Sequence, residues 1–355
     1  MIFKLSEPTL SSEEKLTIVE NLSIMSSSGI PIVEALEAIK QDLQKSPSKE
    51  VLGAISKKIQ EGFSLAEALE KFPNIFDKVF VSTVRSGEAS GNLDQSLKEL
   101  SISLEREIEL ESSIKSALLY PTLVITVAIL VLLVIFFFVI PRIAEVFINL
   151  RIPLPLATKL LLTFSLIITK YKFVFFILLF ISLFLIFSTF KNKKTRGFVI
   201  NLFNNLPIIN PLILKIDLIR FTRTFSILLG SGVPIIEACE LSSEVISQNN
   251  LRKVAVSLRN DLSAGKTLSD ALKSHKGFFP GVLAGMVSTG EKSGNLDKTL
   301  IDFSNHLQDK VSLQVKNIAT LIEPILLILV GIAVGAIIIA IIAPIYQLIG
   351  QISPQ

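Results

Sequence analysis

The stretch Gly87-Glu88-Ala89-Ser90-Gly91-Asn92-Leu93-Asp94 is written twice in this chain. It returns 203 residues later, without a gap, as Gly290-Glu291-Lys292-Ser293-Gly294-Asn295-Leu296-Asp297. The same offset carries Gly29, Pro31, Glu34 and Ala35 onto Gly232, Pro234, Glu237 and Ala238, and Pro121 and Pro141 onto Pro324 and Pro344. Self-similarity at one fixed period settles the architecture before any motif is read. Because the period runs from polar sequence into apolar sequence, the duplicated unit holds a polar domain together with the greasy segment that follows it.

Half of the 355 residues are hydrophobic and the mean hydropathy is +0.60, too apolar for an ordinary soluble protein of this length. The excess is concentrated. The 19 residues between Pro121 and Pro141 carry no charge, nor do the 19 between Pro324 and Pro344, and Phe173 to Phe190 has only Ser182, Ser188 and Thr189 as polar residues. At about 1.5 Å per residue each block is roughly 27–29 Å long, close to the ~30 Å of a hydrocarbon core. Core helices of soluble proteins are the alternative, but their apolar runs are shorter and interrupted by charge. The acidic, polar first hundred residues read as helical and not as a cleavable signal.

Lys191, Lys193, Lys194 and Arg196 follow the second block, whereas no Lys or Arg follows Pro344. Arg142, Arg151 and Lys159 soften the contrast, yet three crossings with the N-terminus in the cytoplasm and the C-terminus outside fit best. The second block belongs to neither repeat and returns the chain so that both polar copies lie on one side. The expected fold is therefore an all-α membrane protein with two homologous cytoplasmic helical bundles and three transmembrane helices. Its parts are a first cytoplasmic copy at 1–117, a span at 118–141, and an extracytoplasmic connection with an amphipathic helix at 142–170. A second span at 171–190, the second copy at 191–323, a third span at 324–344 and a short outer tail at 345–355 complete it.

Within each copy the signals are those of short helices. Ser11-x-x-Glu14 and Ser64-x-x-Glu67 are capping boxes, and Thr267-x-x-Asp270 keeps the oxygen and the acid of the latter in the second copy. Gly29 and Gly232 can end a helix, and Pro31 and Pro234 suit the first turn of the next. In the repeated octapeptide Gly91 and Gly294 suit a left-handed helix end, Asn92 a cap, Leu93 and Leu296 the core, and Asp94 the positive end of a helix dipole. Gly87 and Gly290 complete the motif. Glu88 and Glu291 are left over, and either accept hydrogen bonds from the loop's amides or meet a partner.

The copies differ in charge. Residues 1–117 hold 13 Lys and Arg against 19 Asp and Glu, net −6, and residues 191–323 hold 17 against 11, net +6. The two attract each other, within or between subunits, or face different partners; solvated faces with the second copy near anionic lipid are the plain alternative. Arg220 and Arg223 have Thr17 and Glu20 as counterparts, so positive charge is no requirement of the repeat at those positions. They are candidate partner contacts, or stems packed on the bundle.

Little else suggests chemistry. Gly265-Lys266-Thr267 ends like a phosphate loop but lacks the leading glycine, and Gly230-Ser231-Gly232 lacks the third glycine of a dinucleotide site. Cys239 replaces Leu36 and reads as a core residue; His275 and His306 have no second ligand at metal spacing. No catalytic residue, cofactor, metal or nucleic-acid partner is expected. A transporter or channel subunit is a rival reading, though no ionisable residue lies mid-span and the repeated spans run in the same direction. A general membrane anchor is another. Gly331-x-x-x-Gly335 offers a face for close helix packing in the third span.

The duplicated Gly-Glu-x-Ser-Gly-x-Leu segments, the Gly-x-Pro turns and the order of the three spans resemble the inner-membrane platform proteins of type IV pilus and type II secretion machines. Tyr120-Pro121 and Glu323-Pro324 at the start of the repeated spans, Leu154-Pro155-Leu156-Ala157-Thr158, and Leu206-Pro207 with Pro211 leading into Arg220-Phe221-Thr222-Arg223-Thr224 extend the likeness over nearly the whole chain. The resemblance implies a non-enzymatic inner-membrane scaffold that engages a cytoplasmic assembly ATPase, pilin or pseudopilin subunits, other inner-membrane assembly proteins, membrane lipids and further copies of itself. The chain departs from the family in a short stretch ahead of the first repeat, as in competence-type members. Ile18 and Glu20 replace the Phe and Arg seen at Phe221 and Arg223, and Asn210 stands where Gly is usual.

Overall fold

Three helices of the first copy start where the side chain of Ser11, Ser64 or Asp77 accepts from an amide that has no partner within the helix. In this computed structural model, which describes residues 10–43, 47–149 and 210–352 with isolated positions between 159 and 181, Ser11 accepts from the Glu14 amide while the Glu14 carboxylate accepts from the Ser11 amide at 2.9 Å. That reciprocal pair opens α1 (Ser12–Ser27). Helix α2 (Ile32–Asp42) begins one residue after Pro31, which stands as its cap and not inside its first turn. Then come α3 (Pro47–Gln60), α4 (Leu65–Leu69) behind the Ser64–Glu67 box, α5 (Lys78–Ser90) capped by Asp77, and α6 (Leu93–Val134).

The second copy repeats this series as α8 (Asn210–Gly230), α9 (Ile235–Glu244), α10 (Asn249–Ser263), α11 (Leu268–Ser274), α12 (Gly281–Ser293) and α13 (Leu296–Ile352). Helix starts at 32, 65, 78 and 93 recur at 235, 268, 281 and 296, so the sequence offset of 203 is also a structural one. No strand occurs among the described residues.

The chain forms two units, one from 1–113 with 207–313 and the other from 114–206 with 314–355. In the first, both copies close around apolar cores. Leu36, Leu52, Ile55, Leu65, Val84 and Leu97 are among those sealed in one, and Phe221, Phe225, Phe279, Leu258 and Leu283 in the other. Cys239 lies in the second core, its Sγ facing the Ala255 carbonyl, and burial pushes its thiol up to about 12. It is the inert core residue that its alignment with Leu36 suggests.

In the second unit the apolar stretches of α6 and α13 are long enough to cross a membrane and are almost wholly exposed. Leu119, Leu123, Val127 and Leu130, and Leu321, Leu327, Ile328 and Ile332, face outward, a surface stable in lipid and costly in water. Pro121 and Pro324 fall inside these helices. A π-helical turn at Ile135–Val139 precedes α7 (Ile140–Asn149), with the Ile140 amide bonded to Ile135. It lies where the ring of Pro141 would otherwise press on the Phe137 carbonyl. Most of the second span at 171–190 and of the connection at 142–170 lies outside the described residues, as does the start of the second copy. Helix α13 continues past Pro344 to Ile352, through the positions read as a tail.

Gly91 and Gly294 hold φ of 72° and 69°, a conformation in which a β-branched side chain collides with its own backbone. Replacing either by Val is expected to destabilise the chain by on the order of 1–2 kcal/mol or more. Thermal unfolding of the purified variants would show it; an unchanged midpoint would overturn the assignment.

Candidate functional site: the carboxylate caps and the seam between the copies

The octapeptide closes α5 with a turn in which Asn92 donates to the Gly87 carbonyl at 2.9 Å and Gly91 to that of Glu88 at 3.3 Å, the six-to-one and five-to-two pair of a Schellman motif. Asn295 makes the equivalent bond to Gly290 at 3.0 Å. The Asn295 side chain turns back to donate to the Ser293 carbonyl. Gly265 ends α10 in a turn of the same kind, with Lys266 bonded through its amide to the Asp261 carbonyl and through its ammonium to the Asp261 carboxylate. The residues that end like a phosphate loop are thus a helix stop.

Glu88 does not serve its own loop. Its two carboxylate oxygens accept from the amides of Leu65 and Ala66, at 2.7 and 2.9 Å, across the bundle at the start of α4. Glu291 does the same for Leu268 and Ser269 at the start of α11, at 2.6 and 3.2 Å. Ser64 already caps the third amide of α4, so serine and glutamate together satisfy a terminus that a five-residue helix would otherwise leave bare. Gly87 and Gly290 allow a close approach to the helix that follows the turn. A Cβ on Gly87 would lie 2.8 Å from that of Ser96, and one on Gly290 3.0 Å from that of Thr299, distances at which something must shift.

A further acid carries no signal of its own in the sequence analysis. Asp217, fully buried, accepts from the amides of Ser247 and Gln248 at 3.1 and 2.8 Å, just ahead of α10. Burial pushes its carboxyl up and these bonds pull it back. Its repeat counterpart is Glu14, whose second oxygen accepts from Ser48 near the start of α3. The alignment of Asp217 with a capping-box Glu was the available signal.

Between the copies lies a seam. Ile227 of α8, 6% exposed, joins the hydrophobic cluster of the first copy with Val81, Val84, Leu97 and Leu100. Ser86 donates to the Ser231 carbonyl, Lys78 pairs with Glu244 at 3.0 Å, and Arg220 pairs with Glu107 at 3.4 Å. Gln308 donates to the Arg106 carbonyl. A cavity of about 260 Å³ opens along it, lined among others by Glu99, Arg106, Arg223, Asp297 and Ile301. Burial raises the Glu99 carboxyl, the Gln95 amide opposing and Asp297 adding to the rise.

Arg223 is 5% exposed and donates to Gln308 at 2.7 Å and Asn305 at 3.3 Å. Burial, reinforced by Arg106, brings its guanidinium down to about 10. It is a packing residue of the second bundle, whereas Arg220 is only partly covered and reaches across the seam. The Ser257 hydroxyl lies 3.1 Å from His275 Nε2, and Asp261 3.7 Å from the same nitrogen. A relay needs the two on opposite ring nitrogens, so the arrangement cannot pass a proton from serine to acid. In the second unit the Tyr120 hydroxyl donates to Glu323 at 3.0 Å, joining two positions that are each other's repeat counterparts. Gly331 and Gly335 have nothing within 4 Å of where a Cβ would stand.

The family model for type II secretion system protein F matches residues 18–141 and again 221–344, two windows set apart by the same 203 residues. The chain is 28% identical to the type IV pilus assembly protein PilC of Myxococcus xanthus over 95% of its length and 81% of the relative's. It is 29% identical to type II secretion system protein F of Aeromonas hydrophila, covering 95% and 87%. PilC of Thermus thermophilus is 29% identical, over 94% and 82%.

Removing the Glu88 carboxylate strands two amides of buried residues. Glu88→Ala is expected to cost about 1–3 kcal/mol, and Glu88→Gln, which keeps one acceptor, less. Denaturant midpoints of the purified chain test this; equal midpoints for wild type and Glu88→Ala would exclude the cap.

Proposed function

The chain belongs to the type II secretion system protein F family, and on that premise we propose that it is the inner-membrane platform of a type IV pilus or type II secretion machine, coupling a cytoplasmic assembly ATPase to the insertion of pilin or pseudopilin subunits. The observation that carries the proposal is the double family match in repeat register, which spans both helical bundles and both long apolar helices. Relatives named for pilus assembly and for type II secretion match it over nearly its whole length.

The geometry supports a scaffold that borrows its energy. The glutamates of the repeated motif hold helix ends, the phosphate-loop-like residues form a turn, and the Ser–His–Asp group cannot relay a proton. Docking of the ATPase falls to the cytoplasmic copies, with Arg220 as a basic contact at the seam, and pilins, other inner-membrane assembly proteins, lipid and further copies of the chain meet the apolar helices. Three crossings with the N-terminus inside and the C-terminus outside complete the proposal.

Membrane vesicles carrying the chain are expected to retain the cognate secretion-type ATPase in a salt-sensitive manner, since screening shortens to roughly 8 Å at physiological ionic strength. The purified chain should not hydrolyse ATP by itself. Turnover that persists through repurification, or vesicles that fail to retain the ATPase at low salt, would refute the coupling role. Topology is tested separately by labelling single cysteines with an impermeant thiol reagent in intact cells. Gln355→Cys should react and Glu13→Cys should not; the reverse pattern would invert the orientation.

A further inference from the structure

The seam between the copies is one-sided. Helices α8 and α9 of the second copy pack on α5 of the first, with Ile227 inserted and Lys78–Glu244, Arg220–Glu107 and Ser86–Ser231 around it. If the copies were related by a two-fold, α1 and α2 would pack equally on α12. They do not: Ile24, the counterpart of Ile227, is 57% exposed, and Val282, the counterpart of the half-buried Val79, is 67% exposed. Gly285 and Thr289 on α12 are likewise more open than their counterparts Ser82 and Ser86. The first copy thus carries an unused inserting face, and the second an unused receiving face of the same design.

We infer that a second copy of this chain fills them, α1 and α2 of one subunit docking on α12 and α13 of the next and repeating between subunits the seam seen within one. Three observations favour this occupant over a foreign protein. The two open faces are the repeat counterparts of two faces already shown to fit. The net −6 first copy would meet the net +6 second copy. Finally, the copies sit level: the Gln308 side chain meets the Arg106 carbonyl, one position from its repeat counterpart. A head-to-tail contact without a rise along the helices meets one of the two conditions for a closed ring, the other being a rotation that divides the full turn. The inference goes beyond the platform reading and holds whichever filament or partner the chain serves.

Cross-linking in membranes of the full chain tests it. Lys78→Cys with Glu244→Cys in one chain is the control, since those residues touch within the subunit, and Cys239 is buried away from reagent. The counterparts are Gly281 and Gln41, both exposed. Gly281→Cys and Gln41→Cys, placed on separate co-expressed chains, should give a covalent dimer with a short bismaleimide that neither variant gives alone. Ile24→Asp, a change at an exposed position that leaves the bundle core intact, should abolish that dimer while the control pair still closes. The inference fails if the mixed pair gives no dimer where the control closes, if either variant dimerises alone, or if the dimer survives Ile24→Asp.

Discussion

A helix of five or seven residues leaves its first amides without partners of its own, and in each copy the bundle answers this with a carboxylate brought from elsewhere in the chain. Glu88 lies more than twenty residues beyond the start of α4, yet both of its oxygens lie on the amides of that helix. The contact fixes the end of α5 against the start of α4, and through the octapeptide's turn it also fixes where α6 begins. Glycine at 87 and 290 meets a separate demand, the close approach to the helix after the turn, where Ser96 or Thr299 occupies the space a side chain would need. The two motif glycines therefore have different reasons: one for backbone conformation, one for proximity.

The bundles hold the start of α3 and α10 by the same logic. Glu14 reaches a serine hydroxyl there and Asp217 a pair of amides. One repeat position thus supports two local chemistries, since both place a carboxylate near the positive end of a helix. Divergence between the copies has altered the bonding partners without moving the helices.

The charge difference between the copies has its clearest expression at the seam. Arg220 pairs with Glu107 of the acidic copy, while Lys78 and Glu244 run the opposite way. Exposed pairs of this kind contribute little each, about 0–1 kcal/mol, so the insertion of Ile227 carries more of the contact and the charges set its orientation. Arg223 shows the limit of reading charge as accessibility. Its guanidinium is turned into the second bundle and bonded to neutral amides, which makes it a structural residue despite its sign.

The sequence by itself determined the duplication, the helix starts at Ser11, Ser64 and Thr267, the glycine helix ends, the core role of Cys239 and the family. Each of these is a local or periodic property, set by backbone conformation within a few residues or by the repeat itself. What only the tertiary structure decided are the contacts that join residues far apart: Glu88 to Leu65, Asp217 to Gln248, Arg223 to Gln308, and Tyr120 to Glu323. The sequence reading looked for the partner of Glu88 in its own loop because spacing reveals only neighbours along one helix or turn. Which face of α8 is covered and which face of α1 is left open was likewise invisible, because near-identical patterns carry both, and packing between the copies alone makes them differ.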